Sequence, residues 1–316
     1  MARLTVDRMG VSFANPIVLA SGPAGSGRDL LAHRDAAGVG AITLKTVTPS
    51  ARCGNPQPRL VDCPAGALNS IGLENPGYET FIAEVLPLVA DLPCRRIGSL
   101  ASSEPEQMAT MARALGQRSE IDAIEVNLSC PNADGAAIAG DLEAVRRVMG
   151  SAVESSRVPV LAKLPGDSSA MLDAAEAALD AGAVGLTLIN AIRGLRIDRR
   201  TGRPLLHRQV GGLCGPAIFP IALARVYEAR RAFPEAVIVG TGGVVDVDSA
   251  VEMLLAGADL VGIGFGFMVD PLMPARVAVE LKGWMEEHGV ESVDGLIGAA
   301  HHGGIHVHRE TAERDR

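Results

Sequence analysis

Ile124-Glu125-Val126-Asn127-Leu128 runs straight into Ser129-Cys130-Pro131-Asn132. The first five residues alternate with the period of a short strand. Pro131, followed by Asn132, Asp134 and Gly135, stops it, so Cys130 falls on the turn just past a strand end. The same strand-then-turn unit recurs along the chain, each time followed by a longer amphipathic stretch. Ile17–Ala20 precedes a helical pattern over Asp29–Ala37, Ala41–Leu44 precedes a loop and then Tyr78–Ala90, and Arg95–Gly98 precedes Glu104–Leu115. Ile124–Leu128 pairs with Leu142–Ser155, Val158–Ala162 with Ala170–Asp180, and Gly185–Ile189 with Ala217–Ala232. Val237–Gly240 before Val247–Ala256 and Leu260–Gly264 before Ala275–His288 complete eight strand–helix units. Short strands alternating with helices call for a parallel sheet, and eight of them in ~250 residues predict a closed (β/α)8 TIM barrel of the α/β class. A doubly wound sheet is the competing arrangement. Leu4–Val6 and Val11–Phe13, separated by Asp7-Arg8-Met9-Gly10, predict a short N-terminal β-hairpin. The expected organisation is one barrel domain over residues 1–298, then a disordered, His-rich tail over 299–316.

Composition narrows the function. At 316 residues and 47% apolar content the chain buries one large core. A net charge of −8 and a pI of 5.4 argue against nucleic acid or an anionic membrane as partner. The five cysteines are odd in number and lack a C-x-x-C pair, so neither a disulfide framework nor a metal site is expected, Cys53 and Cys63 included. No apolar run reaches the ~18 residues that span a bilayer, and a soluble, cytoplasmic protein is the expectation. The histidines from His301 to His308 read as a mobile polar terminus in preference to a metal site.

In a TIM barrel the C-terminal strand ends face the active site. Here they carry Ser21, Lys45 with Thr46, Ser99, Asn127, Lys163, Asn190, Thr241-Gly242-Gly243 and Gly264. Lysines and amides are poor filling for a packed barrel floor and good partners for an anion and a planar heterocycle. The glycines after strands seven and eight lie where barrels hold phosphate on backbone N–H groups. Gly22-Pro23-Ala24-Gly25-Ser26-Gly27 lacks the Gly-Lys-Ser/Thr of a P-loop and reads as a turn. Cys130, on its turn, is a candidate base or nucleophile, against the plainer reading of a half-buried structural thiol.

Four segments carry a family resemblance: Asn69-Ser70-Ile71-Gly72-Leu73-Glu74-Asn75-Pro76-Gly77, Asn127-Leu128-Ser129-Cys130-Pro131-Asn132, Gly211-Gly212-Leu213-Cys214-Gly215-Pro216-Ala217-Ile218 and Gly242-Gly243. They resemble the class 1 dihydroorotate dehydrogenases from about Leu4 to Gly298. Lys45-Thr46-Val47-Thr48 and Gly54-Asn55-Pro56-Gln57-Pro58-Arg59 are most similar to the type that works with a separate iron-sulfur and FAD subunit passing electrons to NAD. The resemblance implies FMN at the strand ends, contacted by Ser21, Lys45, Thr46, Ser99, Asn127, Lys163, Ile189, Gly215, Gly242, Gly243, Gly264 and Phe265. It implies substrate binding by Lys45, Asn69, Ser70, Ile71, Gly72, Leu73, Asn127, Asn132, Asn190 and Ala191, with Cys130 as base, Lys45 stabilising developing charge and flavin N5 as hydride acceptor. Ala51–Gly66 is then a lid over the site, and a homodimer or heterotetramer the expected assembly.

Several positions depart from the family pattern. Ala191 stands where a hydroxyl is usual, Ser99 for an asparagine, Phe265 for a threonine or serine, and Phe219 for a lysine; Leu164-Pro165-Gly166-Asp167 replaces a proline–asparagine turn. A paralogue oxidising another cyclic amide or dihydropyrimidine, a non-catalytic flavin-binding electron-transfer subunit, and a Schiff-base barrel using Lys45 or Lys163 are the alternatives the residues leave open.

Overall fold

A computed structural model of the chain describes residues 2–25, 38–129 and 138–305. All eight expected barrel strands form: β3 (Ile17–Leu19), β4 (Ala41–Thr43), β7 (Arg95–Leu100), β8 (Ala123–Asn127), β9 (Val160–Pro165), β10 (Gly185–Asn190), β13 (Val237–Thr241) and β14 (Leu260–Ile263). They pair in parallel, and β14 bonds back to β3 through Val261–Ile17, which closes the barrel. Closure is the outcome that excludes the doubly wound sheet. β3, β4 and β8 are buried along their whole length; β3 reads as a continuous apolar run, whereas β8 also buries Glu125 and Asn127.

The surrounding helices follow the expected pattern. Leu142–Ser155 and Val247–Ala256 have the expected bounds, Pro105–Gly116, Met171–Asp180, Phe219–Ala232 and Met273–Glu287 lie within a few residues of theirs, and Asp29–Ala37 falls outside the described residues. Asp246 starts the helix after the Gly242-Gly243 turn by accepting a 2.8 Å bond from the Ser249 N–H, a capping box that fixes where that turn ends. Tyr78–Ala90 is no regular helix. It breaks into Tyr78–Thr80, a π turn at Phe81–Val85 and a 3-10 turn at Leu86–Val89, where Pro87 lacks the N–H that an α-helix would use.

The hairpin is β1 (Val6–Arg8) with β2 (Val11–Phe13). Its first strand lies two residues later than expected, because Met9 and Gly10, at φ 48° and 75°, form a two-residue turn that sets Val6 opposite Phe13. A larger correction concerns the lid. Ala51–Gly66 ends in β5 (Leu60–Cys63), which pairs with β6 (Gly66–Asn69) in a four-stranded antiparallel sheet completed by β12 (Val210–Cys214) and β11 (Ile192–Leu195). The lid is therefore a sheet over one side of the mouth, assembled from two insertions far apart in sequence. Of the tail, Ala299–His301 forms a 3-10 turn in which His301 stacks on Tyr227 at 4.0 Å and bonds the Ala256 carbonyl at 3.0 Å. Among the described residues no helix is long and apolar enough to cross a membrane.

Candidate active site

The strand ends bring polar residues to the mouth, where short polar contacts and one ion pair run through Ser21, Thr46, Ser99, Glu125 and Lys163. The Ser21 hydroxyl donates to the Leu44 carbonyl at 2.9 Å and lies 3.1 Å from Thr46 Oγ1. Thr46 Oγ1 is 2.8 Å from Ser99 Oγ, which is 3.4 Å from Glu125 Oε1. That same carboxylate oxygen is 3.6 Å from Lys163 Nζ. Glu125 and Lys163 are 2% and 6% exposed, too deep for either charge to stand alone. The register explains the adjacency: Ser99 is paired with Glu125, and Asn127, one pleat further along β8, with Lys163.

Lys45 is half-buried and has no ion-pair or hydrogen-bond partner among the described residues. Burial, followed by the positive charge of Lys163, holds its ammonium below the usual lysine value, with Glu74 working against the shift and Arg59 with it. Between that lowered value and the unfolded value near 10.5 the unfolded chain binds more protons, so native stability rises with pH there; below the lowered value the penalty stands in full. Lys45→Met is therefore expected to raise the melting temperature of the cofactor-free chain at pH 7, with the gain shrinking as pH approaches 10.5. An unchanged or lower melting temperature at pH 7 contradicts this.

The amides are oriented by their neighbours. Asn127 Oδ1 accepts from the Asn190 amide at 3.3 Å and from the Ser129 N–H at 3.1 Å, which leaves the Asn127 NH2 to offer donors. Asn69 does the reverse: its NH2 donates to the Gly212 carbonyl at 3.1 Å, leaving its oxygen to accept. Asn190 Oδ1 takes the Ala191 N–H at 2.8 Å. One donor face and one acceptor face suit a ring edge that alternates C=O and N–H. Ser70, Ile71, Gly72 and Leu73 form a half-buried wall pinned to the lid by Asn55, whose N–H donates to the Ile71 carbonyl at 2.8 Å and whose amide donates to the Ser70 carbonyl at 2.9 Å. Ala191 packs on β12, so closely that a Cβ at Gly212 would stand 2.7 Å from its own.

The glycines form a cradle. Gly242 and Gly243 have φ of 131° and 82°, and a Cβ at Gly243 would meet the Phe219 backbone nitrogen at 2.8 Å, so this turn sits against the start of the helix Phe219–Ala232. Gly264 precedes the helical turn Phe265–Val269, and a Cβ there would touch Ala20 at 3.5 Å and Pro23 at 3.8 Å. The Phe265 ring packs toward Gly215, where a Cβ would be 3.2 Å from it, and Gly215 is also covered by Gly66 of the lid hairpin. Ile189 lies over Gly166 and Gly242. Two helical starts and a side-chain-free turn suit a phosphate. Thr187 Oγ1, in register with Lys163, is buried without a partner among the described residues, as is Ser129 Oγ. The residues present fit a planar cofactor with polar edges and a phosphate.

A family model described as dihydroorotate dehydrogenase matches residues 3–285. The chain belongs to the dihydroorotate dehydrogenase family. One curated relative, the catalytic subunit of dihydroorotate dehydrogenase B (NAD(+)) from Desulforudis audaxviator, is 38% identical over 297 residues, covering 93% of this chain and 96% of the relative. The subunit of the same name from Anoxybacillus flavithermus is 38% identical over 310 residues, covering 98% and 99%. A solved structure of DHODH from Eimeria tenella, in complex with ferulenol, aligns at a TM-score of 0.79 and 20% identity over 95% of this chain and 89% of that one, a likeness of fold.

Within this dihydroorotate dehydrogenase barrel, contacts link Ser21, Thr46, Ser99 and Lys163 through Glu125, and Asn127 with Asn190; Cys130 and Asn132 lie outside the described residues. Of the other cysteines, burial pushes the Cys94 thiol up to about 11 and raises that of Cys214 as well, which suits neither to base chemistry near neutrality. Glu125 was missing from the sequence-based site, as was Thr187. The signal was present for Glu125: a carboxylate in a strand with two apolar flanks requires a buried cation.

Proposed function

We propose that this chain oxidises dihydroorotate to orotate in pyrimidine biosynthesis, with FMN seated in the barrel mouth. The observation that carries the reading is the placement, at the barrel mouth, of the Lys45 ammonium, unpartnered among the described residues, the opposed amide faces of Asn69 and Asn127, and the Gly242-Gly243 cradle. Taking two hydrogens from a ring C–C bond beside a carbonyl needs a base for the acidic proton and a hydride acceptor. Bound FMN supplies the acceptor. Cys130 takes the proton, Lys45 stabilises charge that develops beside it, and Asn69, Asn127, Asn132 and Asn190 read the ring. Gly242, Gly243 and Gly264 hold the phosphate, while Ser21, Thr46, Ser99, Lys163, Ile189, Gly215 and Phe265 line the cofactor. Ser70 to Leu73 and the sheet above them keep water out.

The relatives are named catalytic subunits, which supports a partner subunit; the assembly proposed is a cytoplasmic homodimer or heterotetramer whose partner is an iron-sulfur/FAD subunit. One observation favours a second reading: Ala191 offers no hydroxyl to the ring, which suits a related cyclic amide. Denaturing the purified chain is expected to release one FMN per chain. A chain that stays colourless after incubation with FMN contradicts the proposal.

A further inference from the structure

Glu125 is the most buried ionisable group at the mouth, and its exposure of 2% puts it out of reach of substrate. Its Oε1 joins two systems: the Lys163 ammonium at 3.6 Å on one side and, through Ser99 at 3.4 Å, the Thr46 hydroxyl on the other. A carboxylate only accepts hydrogen bonds, so it draws the Ser99 proton toward itself and leaves the Thr46 hydroxyl to donate to Ser99. Two cations, Lys45 and Lys163, stand in this mouth, close enough for the charge of Lys163 to act on Lys45. Glu125 is the one buried carboxylate among the described residues that pairs with either.

We propose that Glu125 is a positioning residue that fixes the Lys163 ammonium and offsets its charge, and thereby tunes how readily a flavin bound in this mouth takes up electrons. The proposal rests on the FMN reading above and extends it to a residue that touches neither cofactor nor substrate. Reduction adds negative charge to the flavin. A nearby cation favours that charge and a nearby anion opposes it, the more strongly in a site shielded from water. Removing the anion while keeping the shape should make the bound flavin easier to reduce; removing the cation should make it harder.

The test is the reduction midpoint potential of FMN bound to the full chain, measured by anaerobic dye equilibration for wild type, Glu125→Gln and Lys163→Met. The expected result is a shift to more positive potential in Glu125→Gln and to more negative potential in Lys163→Met. An unchanged or more negative potential in Glu125→Gln overturns the proposal, because a purely structural carboxylate alters melting temperature without altering potential in that direction. If Glu125→Gln does not fold, Lys163→Met is compared with Lys163→Met/Glu125→Gln, in which both buried charges are gone. The double variant is expected to melt higher and to hold FMN at a more positive potential than Lys163→Met, and equal potentials overturn the proposal. A wild-type chain that binds no FMN overturns the cofactor reading and this proposal together, whereas normal binding with no potential shift overturns this proposal alone.

Discussion

Cys130→Ser is expected to slow reduction of bound FMN by dihydroorotate by about 10²–10⁴-fold, the range lost with a positioned general base. The measurement is anaerobic stopped-flow bleaching of the flavin at saturating dihydroorotate. The spectrum of the oxidised holoprotein should stay as in wild type, because the cradle at Gly242, Gly243 and Gly264 is built without Cys130. The physical reason is proton affinity: a free thiol titrates near ~8.5 and nearby cations lower it toward neutrality, whereas a serine hydroxyl stays protonated throughout the accessible range. Lys45 and Lys163 supply such cations at the mouth, and among the described residues no carboxylate pairs with Lys45. Cys53→Ser, on the exposed lid segment, is the control and should leave the rate unchanged. A wild-type rate in Cys130→Ser removes the thiol from the base role.

Asp259→Ala is expected to lower stability by about 3–5 kcal/mol, the cost of breaking a buried ion pair and leaving its partners unpaired. Asp259 stands 4% exposed just before β14, at the end of the barrel away from the mouth. One carboxylate oxygen accepts from Arg8 Nε at 2.5 Å; the other accepts from Arg230 Nη2 at 2.6 Å and from the Ile238 N–H at 2.8 Å. Arg230 also donates to the Gly257 carbonyl at 2.9 Å, and Arg8 to Asp294 at 2.8 Å. One acid thus ties the N-terminal hairpin, the helix Phe219–Ala232, β13, β14 and the turn Val293–Gly295. Its loss leaves Arg230 without a carboxylate and the Ile238 N–H without an acceptor, while Arg8 keeps Asp294. Urea unfolding followed by circular dichroism measures the change, and activity per folded molecule should persist because the network is remote from the strand C-termini. A loss below about 1 kcal/mol would mean that the network is solvated and of the weak surface kind.

The eight barrel strands were legible because each is a short apolar run closed by a turn residue, and a parallel barrel strand buried on both faces leaves that mark. The mouth was legible for the same reason: Lys45, Lys163, Asn127 and Asn190 are polar where an apolar run ends. The four-stranded sheet was not. β5 alternates exposed and half-buried residues and pairs with the neighbouring β6, while β12 contains Gly211 and Gly212 and joins β6 from more than a hundred residues away. Strand propensity depends on that context, and a single sequence does not carry the pairing. Tyr78–Ala90 had a helical pattern, but Pro87 set its hydrogen bonding. The Glu125–Lys163 pair shows the opposite case, since Glu125 stood in an expected strand and Lys163 at the end of another, and only the register between β8 and β9 made them partners.

Anaerobic mixing of the FMN-loaded chain with dihydroorotate, with flavin absorbance and product followed together, tests the account most directly. It predicts that the flavin bleaches and that one orotate forms for each FMN reduced. A flavin that stays oxidised, with no orotate formed, would contradict it.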